Sequence, residues 1–179
     1  MPRIERLSHV GLHVTDIGVS RAFYEDVVGL QVTDEKPDGT MVFMSSDPDR
    51  EHHELLLAAG RDTGPTSKTL QQLSFRVETL SDLVEYLERF EQHAIELDMI
   101  VSHGNAIGIY FFDPDHNRIE VFWDTGMKAR QVFLHSIDLT QPSDVIIAEV
   151  RRQVAEHGET GVIEEAFMRR YRPASTPGP

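Results

Sequence analysis

DPDREHHELLLAAG (47–60) and DPDHNRIEVFWDTG (113–126) align without a gap at an offset of 66 residues. Asp47-Pro48-Asp49 falls on Asp113-Pro114-Asp115, Glu54 on Glu120 and Gly60 on Gly126, and an apolar run follows each glutamate. Self-similarity of this kind marks a repeated supersecondary unit. Upstream, HVGLHVTD (9–16) matches QLSFRVET (72–79) at an offset of 63, so the chain reads as a duplication.

Each copy opens on alternating apolar and polar residues, Val10, Leu12 and Val14 in the first and Leu73, Phe75 and Val77 in the second. That is the period of a half-buried strand. Apolar residues then recur at helical spacing, Val19, Phe23 and Val27, then Leu83, Leu87 and Phe90, with Asp16 and Ser81 as expected N-caps and Gly29 as the first stop. Three short strands close each copy, the last two joined by the Asp-Pro-Asp turn, where proline presets φ and aspartate bonds its own backbone. The prediction is an α+β fold of two strand-helix-three-strand units, near 5–60 and 70–126, forming one domain over 1–126. The polar stretch GRDTGPTSKT (60–69) reads as the linker. Residues 127–179 read as a C-terminal helical extension. One helix is expected over 143–157 between Ser143 and Gly158 and another near 162–171, with a disordered PASTPGP tail. Val145, Ile146, Ile147, Val150 and Val154 give the first of these an apolar face to dock on the domain or on a second subunit, which leaves a homo-oligomer open.

Composition narrows the function. Of 179 residues, 40% are hydrophobic and 26% charged, which is ordinary globular usage. Thirty acidic against seventeen basic residues leave a formal charge of −13, which opposes binding to nucleic acid or to an anionic membrane. The opening Met-Pro-Arg-Ile-Glu-Arg lacks a signal-peptide core, and no apolar run approaches the roughly 20 residues that span a bilayer, so a cytoplasmic protein is expected. Without cysteine, disulfides, thiolate zinc sites and cysteine nucleophiles are excluded. A metal would have to sit on histidine, carboxylate, amide or water.

The duplicated unit, opened by HVGLHVTD…RAFYEDVVGL and closed by GIYFFDPDHNRIEV, resembles the vicinal oxygen chelate superfamily over residues 7–126. That superfamily includes glyoxalase I and the type I extradiol dioxygenases. The resemblance implies two units pairing their curved mixed sheets into an open barrel, with metal ligands from the first and last strands of each unit. Those positions are His9, Glu54, Gln72 and Glu120 here. Residues of two copies related by a pseudo-twofold would meet near its axis, where a carboxylate pair without a cation is costly. An imidazole, an amide and one or two carboxylates form a mixed, oxygen-rich set of the catalytic kind. Taken singly, each glutamate reads as a solvated edge-strand carboxylate; the shared repeat position is what singles them out. Gln72 departs from the pattern, because the dioxygenases carry histidine there. It is either a neutral ligand or a lost one.

Three features pull toward the dioxygenases. EHHELLLAAG resembles their paired-histidine segment and gives the acid–base role to His53; SHGNA (102–106) resembles their HG loop and puts His103 near a substrate hydroxyl; Tyr110 stands ten residues before Glu120, where they keep a tyrosine. The bland alternatives are a surface histidine, a loop histidine and a barrel-strand aromatic. The implied activity is extradiol cleavage of a catecholic small molecule in aromatic catabolism, with Fe(II), or else Ni, Zn, Co or Mn. Gln72 and Glu54 pull the other way, toward a glyoxalase-type lyase that polarises a carbonyl and shuttles a proton through a glutamate. A metal-free drug-binding member of the superfamily is the third reading, disfavoured by only 8% aromatic residues. His13 shares a strand face with His9 by the period of two and reads as a cavity-wall residue.

Overall fold

The computed structural model describes residues 7–62 and 70–168. The chain divides into two compact units, Met1–Gln71 with Phe112–Arg118, and Gln72–Phe111 with residues 119–179.

In the first unit, β1 (Val10–Val14) leads through Asp16 into α1 (Ile17–Phe23). Asp16 is the N-cap the sequence predicts, accepting from Val19 N at 3.0 Å. One π-helical turn, Tyr24–Val28, follows and stops at Gly29. β2 (Gln31–Glu35), β3 (Met41–Ser45) and β4 (Leu55–Ala59) complete a sheet of order β1-β4-β3-β2, with β1 parallel to β4 and the other pairs antiparallel. Leu12 and Val14 of β1 and Leu55 and Leu57 of β4 are buried on its inner face.

The second unit repeats the order with β5 (Leu73–Val77), α2 (Leu80–Gln92), β6 (Leu97–Ser102), β7 (Ala106–Phe112) and β8 (Arg118–Asp124). The duplication extends to irregularities, since a bulge interrupts β2 between Val32 and Asp34 and β6 between Leu97 and Met99. The cap of α2 differs from the expected Ser81. Thr79 is the N-cap in a full capping box, its hydroxyl accepting from Asp82 N while the Asp82 carboxylate accepts from Thr79 N. Two reciprocal bonds outcompete the single one that Ser81 offers.

The extension is not purely helical. β9 (Phe133–Ser136) adds to the edge of β6, α3 (Ser143–His157) follows, and β10 (Val162–Ile163) pairs with β9 before the short α4 (Glu165–Met168). The six-stranded order is β10-β9-β6-β7-β8-β5. Strand β9 fell outside the helical reading because it is four residues long, too short for a period to register. Pro142 rather than Ser143 occupies the N-cap of α3 and makes no side-chain cap bond. Ile146 and Val150 of α3 are buried. The linker residues 63–69, the tail and the end of the second expected helix lie outside the described residues.

Pairing registers differ between the copies. In the first, Val10 opposes Leu55, which leaves Glu54 just before the ladder. In the second, Leu73 opposes Ile119, whereas the repeat alignment puts Val121 there. A slip of two residues keeps every side chain on its own face, and it sets Ser74 opposite Glu120.

Candidate active site

In the second unit, Glu120 sits inside β8 and is only 5% exposed. Its Oε2 accepts from Gln72 Nε2 at 3.0 Å and from Ser74 Oγ at 2.6 Å. Its Oε1 lies over Gly108 and 3.7 Å from His103 Nε2. A Cβ at position 108 would collide with that oxygen, so the glycine makes room for the carboxylate. Burial pushes the Glu120 carboxyl up, but its polar contacts with His103, Ser74 and Tyr110 outweigh it and hold the group below the usual carboxylate range. The site therefore keeps a buried negative charge. Tyr110 of β7, 4% exposed, places its hydroxyl 2.9 Å from His103 Nε2.

In the first unit, His9 precedes β1 and is exposed, its ring 4.4 Å from that of His53. His53 Nδ1 is 2.9 Å from His52 Nδ1, and the Phe43 ring meets both imidazoles edge-on. Burial, followed by the charges of His9 and His52, lowers the His53 pKa, so the ring is neutral at physiological pH. One hydrogen serves the pair. When His53 donates it to His52, His53 Nε2 is bare and can act as a base. Glu54, half-buried, turns to its own hairpin and accepts from the backbone N–H of Ser46 at 2.8 Å and from the Ser46 hydroxyl. His13 lines a cavity of about 530 Å³ in the first unit with Arg61, Leu70 and Asn117.

The structure thus brings Gln72, His103, Tyr110 and Glu120 together in one unit and His9 and His53 together in the other, with Glu54 held apart by Ser46. Sequence reasoning missed Ser74, although it stands two residues from Gln72 and therefore on the same strand face. Among the described residues, no three His, Asp or Glu side chains gather closely enough to hold a metal by themselves. The donor types nonetheless fit a divalent cation, because Glu120 is a buried carboxylate kept charged and Gln72 sets an amide beside it.

Two strand-helix-three-strand units, each with imidazole, amide or carboxylate groups at its first and last strands, define the class of protein. Residues 6–121 match the Glyoxalase/Bleomycin resistance protein/Dioxygenase superfamily, and the chain belongs to it. It is 31% identical over 121 residues to biphenyl-2,3-diol 1,2-dioxygenase 3 of Rhodococcus globerulus, a match covering 65% of this chain and 62% of that protein. It is 26% identical over 125 residues to biphenyl-2,3-diol 1,2-dioxygenase 2 of the same organism, covering 68% and 64%. The chain thus spans a little under two thirds of these curated relatives. In fold it is similar to the lactoylglutathione lyase of Agrobacterium tumefaciens, with 22% identity, a TM-score of 0.54, and 68% of this chain and 96% of that one covered. No helix among the described residues is long and apolar enough to cross a membrane.

Proposed function

We propose that the chain is a cytoplasmic extradiol-type dioxygenase that opens a catecholic ring with molecular oxygen. The observation that carries this reading is the His103–Tyr110–Glu120 chain, an imidazole 2.9 Å from a phenol hydroxyl beside a charged carboxylate. The dioxygenase relatives support it. The proposed metal donors of the second unit are Gln72 and Glu120, with Fe(II) as the ion. Bound there, the ion supplies a positive centre for two substrate oxygens and redox chemistry with dioxygen.

The chain's own groups have distinct tasks. His53, neutral and with Nε2 bare when it donates to His52, takes up a phenolic proton. Tyr110, held by His103, hydrogen-bonds a substrate hydroxyl and orients the ring. Glu120 holds negative charge against the cation, and Gln72 and Ser74 fix its position. Glu54, occupied by Ser46, takes no part in this proposal.

The test is oxygen uptake with a panel of catechols after anaerobic ferrous loading. His53→Ala should lower iron-dependent uptake by about a hundredfold or more, the size expected for loss of a general acid–base. One observation favours a second reading: an amide, Gln72, rather than an imidazole stands beside Glu120, as suits a lyase. Hemithioacetal isomerisation with nickel or zinc, without ring cleavage, would establish that reading instead.

A further inference from the structure

Residues beyond the superfamily match reach into the second unit's site. The carbonyls of Val132 and Leu134 accept from Val162 and Glu164, at 3.1 and 3.0 Å, on the β10 side. Successive carbonyls of a strand point to opposite edges, so that of Phe133 faces β6. There β6 has ended at Ser102, and the His103 ring takes the place of a strand partner, with Nδ1 3.0 Å from the Phe133 oxygen.

A carbonyl only accepts, so Nδ1 carries a hydrogen, and in the neutral ring Nε2 is left bare toward the Tyr110 hydroxyl at 2.9 Å. The rival arrangement has Nε2–H donating to Tyr110, which donates in turn to Glu120. It would set two lone pairs against each other at the Phe133 carbonyl. The same segment holds the His103 backbone, for Gln131 Nε2 donates to His103 O at 2.9 Å and to Asn105 Oδ1 at 3.2 Å. Gly104, at φ +72, is packed so closely that a Cβ there would lie 2.5 Å from Ala129 Cβ. Leu134 and Phe167 also pack with Met99 and Val101 in the cluster that buries Tyr110.

We propose that the C-terminal extension is a working part of the site. The Phe133 carbonyl and the Gln131 amide are positioning groups that hold His103 as the Nδ1–H tautomer. Nε2 then accepts from Tyr110 and aims the phenol oxygen at a substrate hydroxyl. This rests on the proposed roles of His103 and Tyr110, but the tautomer can be read with no substrate present.

The experiment is two-bond proton–nitrogen NMR of the full chain labelled with ¹⁵N-histidine, above the ordinary imidazole range, with His103 assigned by its loss in His103→Gln. The expected result is a protonated Nδ1 and a bare Nε2, unchanged in Tyr110→Phe because the anchor is Phe133. A proton on Nε2 in either protein overturns the proposal. In Gln131→Ala the two tautomers should mix, and ring-cleavage kcat should fall about tenfold with KM within about twofold, as for a group that only positions. A pure Nδ1–H signal and unchanged kcat in that variant would overturn the role of Gln131. Absence of ring cleavage in a wild-type protein with the expected tautomer would sink the dioxygenase reading and leave this one standing.

Discussion

The two Asp-Pro-Asp turns hold the same place in the repeat and opposite environments. Asp47, Pro48 and Asp49 are exposed, whereas Asp113 and Asp115 are 4% and 7% exposed within the first unit. Asp113 accepts from the Tyr24 hydroxyl at 2.9 Å, from Asn117 Nδ2 at 2.8 Å and from two backbone N–H groups; Asp115 accepts from Thr15 N and its hydroxyl. The caps Asp16 and Thr79 put the two helices in register at the offset of 63, so Tyr24 and Thr15 correspond to Leu87 and Glu78. Neither of those offers a side-chain donor to an aspartate. Duplication supplies equivalent turns, and the second meets the donors Tyr24 and Thr15. The glutamates that follow diverge in the same manner. Glu54 bonds within its hairpin, while Glu120 gathers Gln72, Ser74, His103 and Tyr110.

Asp113→Ala strands several buried donors and should cost on the order of 3 kcal/mol in urea unfolding, against under about 0.5 for Asp47→Ala. Equal losses would break the comparison. Next in size, Glu120→Gln should weaken ferrous binding by about a hundredfold or more, since it removes a charged ligand, whereas Glu54→Gln should change it less than about threefold. Titrating apoprotein with ferrous ion under anaerobic conditions measures both. Comparable losses would restore Glu54 to the ligand set.

The two buried carboxylates should also respond to pH with opposite sign. Burial raises the Asp113 pKa despite the hydrogen bonds from Asn117 and Tyr24, so the folded state holds this proton more tightly than the unfolded chain. Its contribution is full below the unfolded value of about 3.9 and is lost as pH rises through the folded value. Glu120 is lowered, so its contribution is present above about 4.3 and is lost as pH falls through the folded value. Unfolding midpoints from acid to neutral pH should therefore show wild type losing ground to Asp113→Asn as pH rises and gaining on Glu120→Gln. Parallel curves would contradict the assigned environments. The smallest effect is at the helix caps, where Thr79→Ala and Asp16→Ala should each cost about 1 kcal/mol and Ser81→Ala close to none.

The duplication, the element order and the superfamily were legible in the sequence, because a gapless repeat and strand and helix periods are local signals that survive without coordinates. Glu120 could be singled out by its place in the repeat, and His103 and Tyr110 by resemblance to the dioxygenases; the three lie together in one unit. Ser74 was within reach of the same period of two. The two-residue slip that sets it opposite Glu120 was not, since strand register depends on which neighbour pairs and leaves no local mark. The donors that meet the buried Asp-Pro-Asp turn, Tyr24 and Thr15, lie far away in the chain. The anchor of His103 is a backbone carbonyl, and every residue carries one. Residue type and spacing determined which groups were available; only tertiary packing decided which donor each acceptor met, because hydrogen bonding acts over about 3 Å and the partners are brought there by folding.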